Sequence, residues 1–122
     1  MEKPGTIMID DIKYVRADTA HEKAGDVEGM PYRIVRTHSA GVFAGYIESR
    51  VGMEVVMRKA RRLWRWSGAA TLSQLAEEGT KSPESCKFPQ EVDRVELLQA
   101  IEILGVTKKA QESIASVKVW RL

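Results

Sequence analysis

The sequence is poor in the residues that build disulfide or metal-held scaffolds, with one cysteine and two histidines among its 122 residues. The single cysteine, Cys86, excludes an intramolecular disulfide framework and a cysteine-rich zinc site. No apolar run approaches the ~18 residues that a membrane-spanning helix needs. The first residues, MEKPGTIMIDD, lack the charged and then apolar pattern of a signal peptide. Together these absences predict a protein of the reducing cytoplasm with no membrane partner.

Motifs for catalysis are missing as well. The chain has no glycine-rich dinucleotide fingerprint, no phosphate-binding loop and no nucleophile elbow. Its histidines, His21 and His38, lie 17 residues apart, and no second thiol joins them as a metal ligand. Cys86 and His38 could in principle form a thiol nucleophile pair, but a lone cysteine in a polar loop is seldom catalytic. We therefore expect a protein that is not an enzyme, with no catalytic residue, no cofactor and no metal.

The composition predicts one ordinary globular domain, since 43% of the residues are hydrophobic and 30% are charged. The small net charge of +2 is unevenly distributed. Residues 31–66 contain eight arginines and lysines against two glutamates, whereas the segments before and after them are net acidic. A basic region of this kind indicates an anionic partner that binds at one place. The alternative is a solvated basic face that acidic neighbours balance.

The chain divides into a leader and one domain. Residues 1–30 are weakly patterned, and the stretch HEKAGDVEGMP is polar, has two glycines and ends in proline, which is typical of a loop or linker. We expect folding proper to start near Tyr32. Residues 31–122 are then predicted to form a single α+β ligand-binding domain.

A β-meander is predicted first in this domain. Residues 32–36, 42–48 and 53–58 are rich in strand-forming side chains. Gly45 inside the second strand predicts a bulge or a sharp bend, which small curved sheets need. Residues 58–66 are ambiguous, because as a helix they would align four arginines on one face. We favour a strand that bends near residues 59–60, since three strands precede it and tryptophan favours strands.

Two short helices are predicted in the second half. The first runs from about 68 to 78, with Ser67 as its N-cap and Gly79 as its end. The second follows the N-cap Thr107 and ends near 117. Residues 80–88 are expected to be a loop, residues 92–106 one or two strands with a break near 98–100, and residues 118–122 a strand edge. The predicted fold is α+β: a small curved, mostly antiparallel sheet or barrel-like, Tudor-like core with two short helices.

Two segments stand out as binding candidates. The turn 36–41 contains Arg36, Ser39 and Gly41, so its N–H groups and side chains could cradle a phosphate; a plain hairpin turn is the alternative, which the segment alone favours. Residues 58–66 hold five basic residues, two tryptophans and no acid, a composition that suits phosphates and bases. In the alternative, the arginine stems lie along core aromatic rings, and we favour the core for Trp64 and Trp66.

Phe88 is a further stacking candidate. It stands in a polar loop between Pro83 and Pro89, where an exposed ring would stack on a base. The equal alternative is that the ring plugs the loop into the core.

The chain resembles a small family of phage and prophage proteins that includes the Thoeris anti-defence sponges. The similar segments are YRIVRTHSAGVFAG at 32–45, RRLWRWSGA at 61–69, KF at 87–88, IEI at 101–103, TKKA at 107–110, and Trp120. They cover about residues 32–120 and leave the leader unmatched.

That resemblance implies a function and a set of site residues. Such sponges sequester the cyclic ADP-ribose isomer made by bacterial TIR immune enzymes, and they bind it without cleavage in the cytoplasm of the infected bacterial host. The resemblance implies symmetric homo-oligomers, a hexamer among them, with pockets at subunit boundaries, and in some relatives separate sites for cyclic oligonucleotides. The ligand-binding candidates carried over are Arg36, Ser39, Gly41, Arg61, Arg62 and Phe88.

Other functions stay open at this point. The main alternative is a small nucleic-acid-binding phage module that uses residues 58–66, whose affinity would fall steeply with salt. A small phosphodiesterase or nucleotide-modifying enzyme would turn its ligand over. A structural protein of a phage particle would be indifferent to nucleotides.

Overall fold

The computed structural model describes residues 22–122. Within this range the five strands of the sheet pair with one another in antiparallel fashion. The predicted α+β class, a mostly antiparallel sheet with two short helices, is therefore confirmed. In chain order the elements are β1 (Tyr32–Thr37), β2 (Val42–Val51), β3 (Glu54–Arg62), α1 (Leu72–Glu78), a 3-10 turn (Pro83–Ser85), β4 (Val92–Leu97), β5 (Ala100–Gly105) and α2 (Lys108–Ser116).

The sheet is strongly curled but open. Its strand order is β4-β3-β2-β1-β5, which places β4 and β5 at opposite edges. Only Leu98 and Gln99 separate these edge strands in the chain, and three Cα steps span at most roughly 11 Å. The two edges must therefore approach each other at this end, although the sheet does not close into a barrel. Backbone bonds fix the junction, since His38 N donates to Gln99 O and Ala100 N donates to Met53 O, both at 2.9 Å.

Apolar side chains fill both faces of the curled sheet. In β1, the neighbours Ile34 and Val35 point to opposite faces, and both are fully buried. The core inside the curl is built by strands alone and includes Val35, Phe43, Val55, Met57 and Leu97. The core on the other face packs against the helices and includes Ile34, Leu63, Leu75, Phe88 and Ile114.

A β-bulge at Lys59 decides which later residues of β3 face the helices. The pairing advances by two residues along β2, from Ala44 to Tyr46, while it advances by three residues along β3. Lys59 accommodates the extra residue with a φ of 49°. Before the bulge the odd-numbered residues of β3 face the inside of the curl, whereas after it Ala60 does. Arg61 therefore points to the helix side. The predicted bent strand is confirmed, and the helical alternative for residues 58–66 is wrong.

Gly45 lies opposite this bulge, in agreement with the bend that its position predicts. A Cβ placed on Gly45 would lie 2.8 Å from Ala60 Cα and 2.9 Å from Lys59 O. Both atoms belong to backbone and cannot move aside without disturbing the strand pairing. Only glycine therefore lets β2 and β3 approach this closely.

The first helix begins later than the sequence pattern indicates. Thr71 is its N-cap and accepts a hydrogen bond from Gln74 N, so the predicted cap at Ser67 and the start at 68 are wrong. Gly68 has a φ of 82°, a left-handed conformation that cannot belong to a right-handed helix. The predicted end at Gly79 is confirmed, and its φ of 78° suits a residue that ends a helix.

The second helix follows the prediction closely. Thr107 Oγ1 accepts a hydrogen bond from Ala110 N at 3.0 Å, which caps α2 at the expected residue. The stripe of Ala110, Ile114 and Val117 is buried against the sheet, as the spacing of three to four residues predicts.

Residues 22–30, the last part of the predicted leader, pack against the domain. Ala24 is buried and donates its N–H to Val106 O at 3.0 Å, and Lys108 N donates to Glu22 O at 2.8 Å. The rest of the predicted leader, residues 1–21, lies outside the described residues. Across residues 22–122, no helix has the length and the apolar character to cross a membrane.

The fit at Gly45 predicts a large effect of one methyl group. We expect Gly45→Ala to lower the free energy of unfolding by about 2–3 kcal/mol, because the new Cβ would collide with the β3 backbone. Gly105→Ala is the matched control, since a Cβ on this strand glycine meets nothing within 4 Å, and its change should stay within about 1 kcal/mol. Urea unfolding followed by circular dichroism measures both, and equal effects would contradict the close approach of the two strands.

Candidate functional site

The turn between β1 and β2 is held by its own hydrogen bonds. Thr37 Oγ1 donates to Gly41 O at 2.7 Å and accepts from Ala40 N at 2.8 Å. Because Thr37 N is bonded to Gly41 O and His38 N to Gln99 O as well, three of the turn's N–H groups are not available to an anion. These are the bonds of a hairpin turn, the alternative that the sequence favours for this segment.

Arg36 and Ser39 lie on the surface of this end of the molecule. Arg36 Nε donates to Glu102 Oε1 at 2.7 Å, and both side chains are nearly half exposed. This ion pair engages the Nε of the guanidinium that the sequence offers as a phosphate clamp. Ser39 is exposed. Arg62 approaches the same turn, because a Cβ on Gly41 would lie 3.7 Å from its Nε.

Arg61 is buried and acts as a structural cation. Its guanidinium donates four hydrogen bonds, all to backbone carbonyls. Two acceptors, Ile114 O at 2.9 Å and Val117 O at 2.7 Å, lie at the C-terminal end of α2. The other two are Phe88 O and Pro89 O. Helix C-termini leave carbonyls without partners and favour a positive charge, so Arg61 satisfies both needs. Burial lowers the pKa of Arg61, but an arginine stays protonated at physiological pH.

Phe88 and Cys86 are also core residues. The Phe88 ring is fully buried, and the Arg61 guanidinium lies 5.5 Å from its centroid. The buried ring therefore anchors its loop to the core and has no exposed face on which a base could stack. Cys86 is buried with its Sγ near Ser67 O and Ser82 O, and it has no histidine contact among residues 22–122.

The six predicted ligand-binding residues thus do not form one site. Arg61 and Phe88 meet in the helix-side core. The other four lie around the β1–β2 turn, where Arg36 is already paired. Arg62 is exposed and stacks on the ring of Phe43, with its guanidinium carbon 4.5 Å from the centroid.

A different surface brings aromatic and basic side chains together. Trp64 and Trp120 stack with their ring centroids 5.0 Å apart and their planes at 17°. Trp64 is 50% exposed and Trp120 is 39% exposed, so the prediction that Trp64 belongs to the core is wrong. The Arg65 guanidinium lies 5.0 Å from the Trp64 ring, and Lys87 Nζ lies 5.7 Å from the Trp120 ring. We call these four residues the aromatic–basic surface.

Backbone pairing holds this surface in place. Arg65 and Lys87 exchange two hydrogen bonds, at 2.7 and 3.3 Å, and Trp120 N donates to Phe88 O at 3.0 Å. Leu63 and Phe88 are buried while their neighbours Trp64 and Lys87 point outward, as alternation along extended backbone requires. The predicted strand edge at 118–122 is present as one parallel bridge between Val119 and Phe88.

The sequence reasoning missed two members of the surface, Lys87 and Trp120. They come from segments far from Trp64 in the chain, and only the bridges described above bring them together. The alternation of side chains along extended backbone could have located Lys87, because a buried Phe88 places the neighbouring Lys87 on the outside.

The aromatic–basic surface has side chains of the kinds that suit an aromatic base and a phosphate. Neither Arg65 nor Lys87 has a carboxylate partner within residues 22–122, and their cation–π contacts at exposed sites are worth only about 0.5–1 kcal/mol each. Both cations can therefore turn toward a phosphate at little cost. The part of the chain that the structure describes has no cluster of three His, Cys, Asp or Glu side chains that could hold a metal.

A family model described as a domain of unknown function, DUF6948, matches residues 30–114. The chain belongs to this family. No curated protein and no solved structure matches the chain. The DUF6948 match starts just before β1 and ends within α2, so it includes Trp64, Arg65 and Lys87 but stops short of Trp120.

The bonding of Arg61 predicts a large difference between two neighbouring arginines. We expect Arg61→Met to lower the free energy of unfolding by about 3 kcal/mol, because it removes four hydrogen bonds to carbonyls in the core at once. Arg62→Met is the control, since this exposed side chain stacks on Phe43 and makes no hydrogen bond or ion pair among residues 22–122, and its effect should stay below about 1 kcal/mol. Urea midpoints of both variants provide the comparison, and a stable Arg61→Met protein would disprove the structural role.

Proposed function

We propose that this protein is a non-enzymatic binding module for single-stranded nucleic acid and that it binds through the aromatic–basic surface. The observation that supports this proposal is the exposed Trp64–Trp120 stack with Arg65 and Lys87 beside it, neither of which has a carboxylate partner among residues 22–122. Stacking of a base on an aromatic side chain contributes about 1–3 kcal/mol, and it tolerates any base sequence. An arginine fork and a lysine ammonium beside the rings suit the adjoining phosphates.

The distribution of free charge supports the same location. Three arginines outside the surface, Arg36, Arg58 and Arg94, are engaged by carboxylates. Arg61 donates four of its five N–H groups to carbonyls in the core. Several other basic residues of the described range also lack a carboxylate partner, but Arg65 and Lys87 are the ones that lie beside the stacked tryptophans. With only two cations beside the rings, the affinity for an anionic strand should be modest and moderately salt-dependent.

A second candidate function is the sponge that the resemblance implies. A cyclic ADP-ribose isomer carries one adenine and one pyrophosphate, and the aromatic–basic surface offers one exposed tryptophan stack and two cations. The sponge would then bind at this surface and not at the six residues carried over from the resemblance. It would act as a homo-oligomer in the cytoplasm of an infected bacterial host and deplete the signal without cleaving it.

The nucleic-acid proposal predicts a specific loss of binding. We expect Trp64→Leu to weaken binding of a labelled 12-nucleotide single strand about tenfold or more, because one stacking platform is lost. Arg65→Gln should weaken binding less and lower the salt slope by about 0.7, as the loss of one phosphate contact requires. Fluorescence anisotropy of the labelled strand measures both effects.

Arg50→Gln is the control for this experiment. Arg50 is an exposed arginine of β2 that donates to Gly52 O and lies outside the aromatic–basic surface. Its replacement should leave the affinity nearly unchanged. Equal losses for Arg50→Gln and Arg65→Gln would mean that binding follows total charge, and the proposed surface would be wrong.

The sponge proposal predicts stabilisation by the small ligand. At about 100 times the Kd, a cyclic ADP-ribose isomer should raise the Tm by roughly 10 °C, since a ligand that binds only the folded state adds about 2.7 kcal/mol. Mass spectrometry of ligand released by heat should recover it unaltered. No shift with any isomer would reject the sponge, and an altered ligand would make the protein an enzyme.

A further inference from the structure

A pocket lies on the helix side of the sheet and shares no residue with the aromatic–basic surface. It has a volume of about 440 Å³ and lies between the sheet and α2. Strands β1, β2 and β3 form one wall, α2 forms another, and residues 90–91 lie at its mouth. The polar side chains that matter here are Tyr32, Tyr46, Lys59, Arg61, Glu91 and Gln111.

The hydroxyl of Tyr32 is an unsatisfied donor in this pocket. Tyr32 is only 8% exposed, and its ring packs edge-on against Tyr46 with the centroids 5.2 Å apart. The hydroxyl makes no hydrogen bond to any residue in the range 22–122. A buried tyrosine hydroxyl normally has a partner, so this one is available to donate to a molecule that enters the pocket. Burial raises the pKa of Tyr32, with Tyr46 and Glu91 adding to the rise, so the phenol stays protonated and remains a donor.

Two further residues that line the pocket, Arg61 and Tyr46, have donors to spare. Four of the five N–H groups of Arg61 are bonded to carbonyls, and one on Nη1 has no acceptor among the described residues. Tyr46 Oη accepts from Gln111 Nε2 at 3.0 Å, which leaves its own hydrogen free to donate.

The charge balance of the pocket favours an anion. Lys59 stands at the bulge, is exposed and has no ion pair within the described range. Together with Arg61 it outweighs the exposed Glu91, so the lining has a net charge of +1. The remaining lining is largely apolar and includes Ala44, Ala115 and Val119. An oxygen-rich head group with a compact apolar body suits this combination.

We propose that this pocket binds an oxyanion, a phosphate or a carboxylate, attached to a small organic molecule. The oxyanion accepts hydrogen bonds from the Tyr32 hydroxyl and the spare Nη1 N–H of Arg61. Lys59 adds a charge at the rim, and the body of the molecule lies against Ala44 and Ala115. The site is independent of the proposed nucleic-acid surface and goes beyond that function.

The test uses three probes with the same aromatic ring and the full chain. Phenyl phosphate and benzoate carry the two oxyanions, and benzyl alcohol is the uncharged control. We expect saturable shifts of the backbone N–H signals of Lys59, Gln111 and Ala115 in NMR titrations with at least one oxyanion probe. Tighter binding of phenyl phosphate assigns a phosphate ligand, and tighter binding of benzoate assigns a carboxylate. No saturable shift with either probe, or an equal response to benzyl alcohol, overturns the proposal.

Variants then test the donors. Tyr32→Phe should weaken binding of the oxyanion probe about tenfold or more, because a buried donor to a charged group is lost. Its Tm without ligand should not fall, since the hydroxyl has no partner to lose. Unchanged binding by Tyr32→Phe, or a clear fall in its Tm, overturns the assignment of a free donor. Lys59→Asn removes the charge but keeps a residue type that tolerates a positive φ. It should weaken binding of the oxyanion probe a few-fold. Unchanged binding would show that Lys59 does not contribute to the site.

Arg65→Gln distinguishes this site from the aromatic–basic surface. It should leave the binding of phenyl phosphate and benzoate unchanged while it weakens the binding of a single strand. If Arg65→Gln weakened the binding of the small probes and of the single strand alike, the two ligands would share one site, and the proposal of a separate pocket would be overturned.

Discussion

The buried guanidinium of Arg61 ties the sheet to the C-terminal end of α2, and much of the structure is arranged around that contact. A charge of this kind is costly to bury unless hydrogen bonds compensate it. Here four carbonyls do so, from the helix end and from the loop at Phe88. The bulge at Lys59 makes the contact geometrically accessible, because without the extra residue Arg61 would point into the core inside the curl. Gly45 permits the bulge by leaving room for the β3 backbone.

The same contact organises the surface that we propose binds nucleic acid. Arg61 holds the carbonyls of Phe88 and Val117, and these flank the segments that carry Lys87 and Trp120. Hydrogen bonds to the core therefore hold the backbone beside the Trp64–Trp120 stack, although both rings are exposed. Within residues 22–122 the basic side chains differ in role: one is a buried cation that joins elements, several arginines form surface ion pairs, and Arg65 and Lys87 lie beside aromatic rings without a carboxylate partner. Net charge along the sequence does not reveal that division.

Local patterns predicted most of the strands and the whole of α2. The spacing of Ala110, Ile114 and Val117 indicates a helix with one buried face, and Thr107 is a residue type that caps helices well. The start of α1 was harder, because Ser67 and Thr71 are both acceptable caps and only the conformation of Gly68 distinguishes them. The candidate site was predicted less well. Arg61 and Phe88 have the chemistry of ligand contacts, but the register of β3 and the depth of the loop place both in the core.

The sequence by itself determined the class of the fold, the position of the bend in β3 and the caps that end the helices, because these depend on side chains within a few residues of one another. Tertiary structure alone decided which arginine is buried, which tryptophan is exposed and which residues share a pocket. These outcomes depend on a one-residue change of register and on bridges between segments such as 65, 87 and 120. A single extra residue in a strand reverses every side chain after it, and no local pattern records how the strand pairs.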